Sequence, residues 1–126
     1  MTKKDENNYI FGVFDGHGLE GHLVSQAITN FLNNNMTSSI FSSRENIFLI
    51  FKQLSSTINS SLTFNAMESG STAVIIFISN NQIISTNCGD GRAILISENE
   101  QNIIPLSRDH KPGRKKKNNR MWRKGG

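Results

Sequence analysis

Asp15-Gly16-His17-Gly18 places a carboxylate and an imidazole two positions apart, each followed by a glycine. Aspartate offers hard oxygens to a divalent cation or accepts a proton, and histidine exchanges protons close to neutral pH. The glycines let the backbone turn sharply and let a ligand come near it. A plainer reading stays open, a turn after a core strand with Asp15 capping the following helix. A second carboxylate, Asp90, stands in Gly89-Asp90-Gly91. It is either a cation ligand or a turn residue between strands. Ser69-Gly70-Ser71-Thr72-Ala73 reads as a phosphate-binding loop or as small residues opening a buried strand. Asp109-His110 pairs an acid with an imidazole, attractive as a catalytic pair. His22 lies a turn beyond the loop and is expected on a helix surface or in packing. Cys88 has no basic neighbour to activate it and is expected as a small core side chain.

These groups need elements to hold them. Residues 9–14, Tyr9-Ile10-Phe11-Gly12-Val13-Phe14, are rich in β-formers and of strand length, so Asp15 and His17 fall at the mouth of a strand. Asn7-Asn8 before it is a candidate hairpin turn. Residues 21–33 carry Leu23, Val24, Ala27, Ile28, Phe31 and Leu32 at helical spacing, ended by the Asn33-Asn34-Asn35 run. A second helix over 44–62 aligns Ile47, Phe51, Leu54, Ile58 and Leu62, with Ser43 as N-cap and Glu45 in its first turn. Then the period falls to two. Residues 71–79 predict a strand whose apolar centre, Val74-Ile75-Ile76-Phe77-Ile78, suggests burial on both faces. Asn80-Asn81 turns the chain into a returning strand over 82–87. Strands over 92–97 and 102–106 follow, and Pro112-Gly113 breaks the chain before a basic tail with helical potential. Two helices between a first strand and a later antiparallel meander make an α+β layout.

At 126 residues the chain has room for one small domain, and its 36% hydrophobic content is low for a globular one. The net charge of +4 is unevenly placed. Five basic and nine acidic residues precede Arg108, a balance of −4, whereas nine basic and one acidic from Arg108 onward give +8. The high pI belongs to the tail 108–126. No apolar run approaches a membrane span, and the first residues lack a signal-peptide core. The single cysteine excludes an internal disulfide and suits a reducing compartment, so the expected location is intracellular, cytoplasmic or nuclear.

The stretch Phe-Gly-Val-Phe-Asp-Gly-His-Gly-Leu-Glu-Gly-His-Leu-Val-Ser over residues 11–25 resembles a motif of the metal-dependent serine/threonine phosphatases of type 2C. Three more family motifs follow in order: Ser69-Gly70-Ser71-Thr72-Ala73, Asn87-Cys88-Gly89-Asp90-Gly91-Arg92-Ala93 and Leu106-Ser107-Arg108-Asp109-His110-Lys111-Pro112. Gly125-Gly126 falls where the family has a glycine pair. The resemblance implies an incomplete two-sheet antiparallel β-sandwich flanked by helices, with residues 1–126 forming one partial phosphatase-like domain. It implies two Mg²⁺ or Mn²⁺ ions sharing a water that attacks phosphoserine or phosphothreonine, with a weaker third ion in some relatives. Asp15 would bridge the two ions, the Gly16 carbonyl would ligate one, and glycine would suit that site because nothing on Cα obstructs the metal. His17 would protonate the leaving alkoxide. Asp90 would help hold the third ion, and 69–73 and the Asp109-His110 segment, with His110, would be structural. The partner implied is a phosphoprotein, met by a monomer.

The chain also departs from the pattern. Gly91 stands where relatives usually have serine, and Lys117 where they have glutamate. The family's Glu-Asp strand and its later Asp-Gly-x-Trp-Asp and Asp-Asn motifs are not found in these residues. Asp5-Glu6 does not replace the first, since a turn at Asn7-Asn8 would pair Asp15 with a position before Met1. A non-catalytic pseudophosphatase that binds phosphoproteins is therefore the alternative reading. Phosphate-backbone binding by the Lys/Arg tail, with Trp122 stacking on a base, is a third and is not expected.

Overall fold

The alternating apolar residues do form the sheet, and the helical stripes do cover it. In the computed structural model every residue is described except 1, 6, 38, 41, 42, 62, 66, 100, 110–121 and 126; of the two terminal strands only the backbone pairing is described. In chain order come β1 (Thr2–Asp5), β2 (Asn8–Val13), β3 (Gly16–His17), α1 (Gly21–Asn35) and α2 (Arg44–Asn59). Then follow β4 (Gly70–Ser71), β5 (Ala73–Ser79), β6 (Gln82–Cys88), β7 (Ile94–Ile96), β8 (Ile103–Pro105) and β9 (Trp122–Gly125). A five-stranded antiparallel sheet runs β1-β2-β5-β6-β9, with β3-β4 and β7-β8 as separate two-stranded pairs.

The register fixes which side chains share a face. Ile10 stands opposite Phe77 and Phe77 opposite Ile84, with Gly12, Ile75 and Thr86 in the next row of that face. Both helices pack here. Val24, Ile28 and Leu32 of α1 and Ile47 and Leu54 of α2 join Ile10, Ile75, Phe77 and Ile84 in one core. Helix α2 begins as its sequence predicts, with Ser43 extended and its hydroxyl accepting from the Asn46 N–H, and with Glu45 in the first turn. Glu20, at the N-cap of α1, makes no such side-chain cap.

The opposite face is half covered. Val74 is buried beneath Gly91, and the Asn87 side chain donates to the Arg108 carbonyl, so segments 89–93 and 106–109 cross this end. Farther along β5, Ile76 and Ile78 are only partly buried, and in the neighbouring strand Phe11 and Val13, the latter directly opposite Val74, are exposed. The expected burial of both faces of β5 therefore holds at Val74 and fails beyond it. Among the described residues the second layer consists of a short hairpin and the segments flanking it, too little to cover five strands.

Three further expectations change. Asn8 already belongs to β2 and pairs with Asp5, so the first reversal comes before Asn8, not at Asn7-Asn8. Cys88 is exposed at the end of β6 and is not a core side chain. Within the basic tail, Trp122–Gly125 forms a strand against β6, with Ser85 opposite Trp122. The unpaired edge of β6 offers a row of hydrogen-bonding groups that a strand can satisfy. Pro112-Gly113, Lys117, His110 and Gly126 lie outside the described residues.

Candidate active site

Strand β2 ends at Val13, Phe14 folds back toward the core, and Asp15 emerges at the sheet's end. Its place is set by the start of β5. Thr72 N–H donates to the Asp15 carbonyl at 2.9 Å, and Asp15 N–H donates to Thr72 Oγ1 at 3.1 Å. Gly16 and His17 then pair with Ser71 and Gly70 as β3 against β4. A Cβ at Gly70 would come within 2.7 Å of the His17 ring, so the imidazole lies directly over a residue that has none. Farther on, Glu20 N–H donates to Ser69 Oγ at 3.0 Å, and the Glu20 carboxylate accepts from the Asn65 N–H at 2.6 Å. The whole loop 15–20 is thus fastened to the strap 65–72. That is what the small residues 69–73 do here: they position the loop through backbone and hydroxyl contacts.

Gly16 also has a packing reason for being glycine. A Cβ on it would meet the Gly21 carbonyl oxygen at 2.1 Å, and one on Gly21 would meet the Gly16 carbonyl carbon at 2.5 Å. The start of α1 rests on the loop backbone, and neither position has room for a side chain.

Asp90 reaches the same end of the molecule by another route. Strands β2 and β6 both run antiparallel to β5, so their C-terminal ends share one edge. With β5 between them, they are separated by roughly 10 Å, twice the spacing of neighbouring strands. Asp15, His17 and Asp90 are all exposed. Among the described residues no group of three His, Cys, Asp or Glu side chains stands together as a metal cage. Asp5, opposite Asn8, lies at the far end of β2 from Asp15, in keeping with its exclusion as a substitute. His22 is exposed on α1.

Sequence reasoning passed over the groups that hold these residues in place. Arg92 donates through Nε and Nη2 to both Asp109 oxygens at 3.1 and 2.8 Å. That hydrogen bond and the charge of Asp109 hold the guanidinium above its ordinary pKa. Ala93 N–H donates to Ser107 Oγ at 2.7 Å, and Leu106 N–H to the Ala93 carbonyl at 2.8 Å. Together these tie the Asp90 turn to the segment after β8. The acid of Asp109-His110 is thereby a structural partner. The signal was the Gly-Asp-Gly-Arg and Arg-Asp pairing of opposite charges, which sequence separation conceals.

Comparison with known proteins decides the family. The family description Protein phosphatase 2C matches residues 1–126. The chain belongs to the protein phosphatase 2C family. It is 32% identical to Protein phosphatase 1L of Bos taurus over 93% of this chain and 35% of that protein. It is 33% identical to Probable protein phosphatase 2C 11 of Arabidopsis thaliana over 92% of this chain and 31% of that one. The chain spans about a third of the length of these 2C relatives. Among solved structures, it superposes on the catalytic domain of the serine/threonine phosphatase PstP of Mycobacterium tuberculosis, in complex with two manganese ions, with a TM-score of 0.60 at 15% identity. That match covers 86% of this chain and 51% of the other. The 2C fold is therefore present in part, as the resemblance implies.

Proposed function

We propose that this chain is the Asp-Gly-His-bearing part of a protein serine/threonine phosphatase that hydrolyses phosphoserine and phosphothreonine with a metal-activated water. The carrying observation is the placement of Asp15, the Gly16 carbonyl, His17 and Asp90 at one sheet end of a 2C-family chain. Asp15, the Gly16 carbonyl and Asp90 fit magnesium or manganese in kind, being hard oxygens on exposed residues. Asp15 and the Gly16 carbonyl would hold one flank of a hydrated ion pair and Asp90 a weaker third ion, with the remaining ligands supplied by water and by groups outside this stretch. The manganese-bound neighbour supports that choice of cation. When bound, such ions supply an ionised water and neutralise charge on the phosphoryl group.

This chain's own residues do the rest. Asp15 projects its carboxylate oxygens from the end of a core strand, with its main chain fastened to Thr72. His17, exposed and seated over Gly70, donates a proton to the serine or threonine oxygen as it leaves. A phosphoprotein as substrate, a monomeric state and an intracellular setting belong to the same proposal. No helix among the described residues is long and apolar enough to cross a membrane.

The test is Mn²⁺-dependent hydrolysis of a phosphothreonine peptide by the purified protein, expected to vanish in Asp15→Asn. Hydrolysis that survives this change sinks the assignment of Asp15. His17→Gln is expected to lower kcat on the peptide about 10²–10⁴-fold while sparing an aryl phosphate, whose leaving group needs no acid. Tight binding of the phosphopeptide without turnover would favour the non-catalytic reading instead.

A further inference from the structure

The ladder between β2 and β5 keeps one register from Asn8↔Ser79 to Val13↔Val74, and the same register resumes at Gly16↔Ser71 and His17↔Gly70. At the break between these runs, Asp15 stands opposite Thr72. An ordinary antiparallel pair here would exchange two main-chain hydrogen bonds. One is present, from Thr72 N–H to the Asp15 carbonyl at 2.9 Å. The other is replaced. Asp15 N–H donates to Thr72 Oγ1 at 3.1 Å, while the Thr72 carbonyl accepts from Ser71 Oγ at 2.8 Å. The methyl of the same side chain lies against the second carboxylate-bearing loop. A Cβ added to Gly89 would come within 2.8 Å of Thr72 Cγ2. A single threonine thus touches both loops.

We infer that Thr72 is a positioning residue that sets Asp15 relative to the turn carrying Asp90. Its hydroxyl stands in for a main-chain acceptor where the strand leaves the sheet, and its methyl braces the backbone of Gly89. Serine would hold Asp15 without bracing the turn. Valine would brace the turn and leave the Asp15 N–H without this acceptor. Only a β-branched hydroxyl does both. The inference rests on the reading of Asp15 as a cation ligand, and its test separates the two.

The experiment titrates the isotope-labelled full chain with Mn²⁺ alone and follows paramagnetic broadening of the Gly16, Asp90 and Gly91 amides. Thr72→Val is expected to raise the Mn²⁺ concentration for half-broadening at Gly16 about five-fold, equivalent to one lost hydrogen bond. Thr72→Ser is expected to recover binding to within about two-fold, since it keeps that hydrogen bond. In Thr72→Ser the broadening at Gly91 relative to Gly16 should nevertheless change, because the turn has lost its brace. Thr72→Val titrating like the unaltered chain, or Thr72→Ser binding as weakly as Thr72→Val, overturns the inference. If Asp15→Asn broadens like the unaltered chain, the reading of Asp15 fails instead. Hydrogen exchange in the unaltered chain needs no variant. The Asp15 amide should exchange at least about ten-fold more slowly than an open peptide, and an unprotected Asp15 amide overturns the inference.

Discussion

At the scale of single residues, the proposed site depends on side chains that are missing as much as on those assigned a reaction. Gly16 and Gly21 meet backbone to backbone, so a methyl group on either has only main-chain atoms to displace. Gly12 differs, since its Cβ would meet the Phe14 ring at 2.6 Å, the far end of a side chain that can move. Gly16→Ala is therefore expected to destabilise the chain by about 1–3 kcal/mol, the usual range for overpacking. Gly12→Ala is expected to cost markedly less, and thermal unfolding of the two variants side by side checks the order. Equal costs would mean that the contact between the loop and α1 is not the constraint on Gly16. The motif Asp-Gly-His-Gly thus joins two kinds of constraint. In the proposed mechanism Asp15 and His17 serve the chemistry, and Gly16 also leaves room for the helix that rests on it.

At the scale of elements, the loop that bears Asp15 and His17 is held by polar contacts at both ends, and each can be removed separately. The Glu20 carboxylate accepts from the Asn65 N–H and does not cap the start of α1. Glu20→Ala is expected to speed amide exchange at Asn65 and its neighbours while leaving the α2 amides unchanged. Uniform acceleration over the chain would instead mean that Glu20 supports global stability. Helix α2 has its own anchor, the Ser43 hydroxyl accepting from the Asn46 N–H at 3.2 Å. Ser43→Ala is expected to cost about 1 kcal/mol, typical of a lost N-cap. For a domain near this size that corresponds to a drop of about 4–8 °C in Tm. The hydroxyl has a clear local role, and a local sequence signature was enough to find it.

At the scale of the whole molecule, the two faces of the central sheet differ. Ile75, fully buried on the helix side, and Val13, 71% exposed on the other, stand in neighbouring strands. Ile75→Ala should cost about 2–5 kcal/mol, whereas Val13→Ala should stay within about 0.5 kcal/mol. Chemical denaturation of both variants checks this. A large cost at Val13 would mean that the apolar face is covered in solution. Much of this architecture was legible in the sequence because local rules decide it. Period-3.6 stripes gave both helices, Asn80-Asn81 gave the hairpin, and Asp15 and His17 stood out by type and spacing. The bounds of β7 and β8 were set too wide, and β9 was missed, since a short strand at an edge depends on the strand it finds. The same reason hid Thr72, Glu20 and the Arg92–Asp109 pair. Their partners lie 57, 45 and 17 residues away, and no local periodicity encodes which distant backbone group a hydroxyl or carboxylate will meet. The sequence by itself determined the elements and the reactive residue types, through propensity, period and the few residues able to bind a cation or move a proton. The tertiary structure alone decided that Asp15 and Asp90 share one edge, and that a single threonine stands between their loops. That follows from register and strand order, which are properties of the assembled sheet.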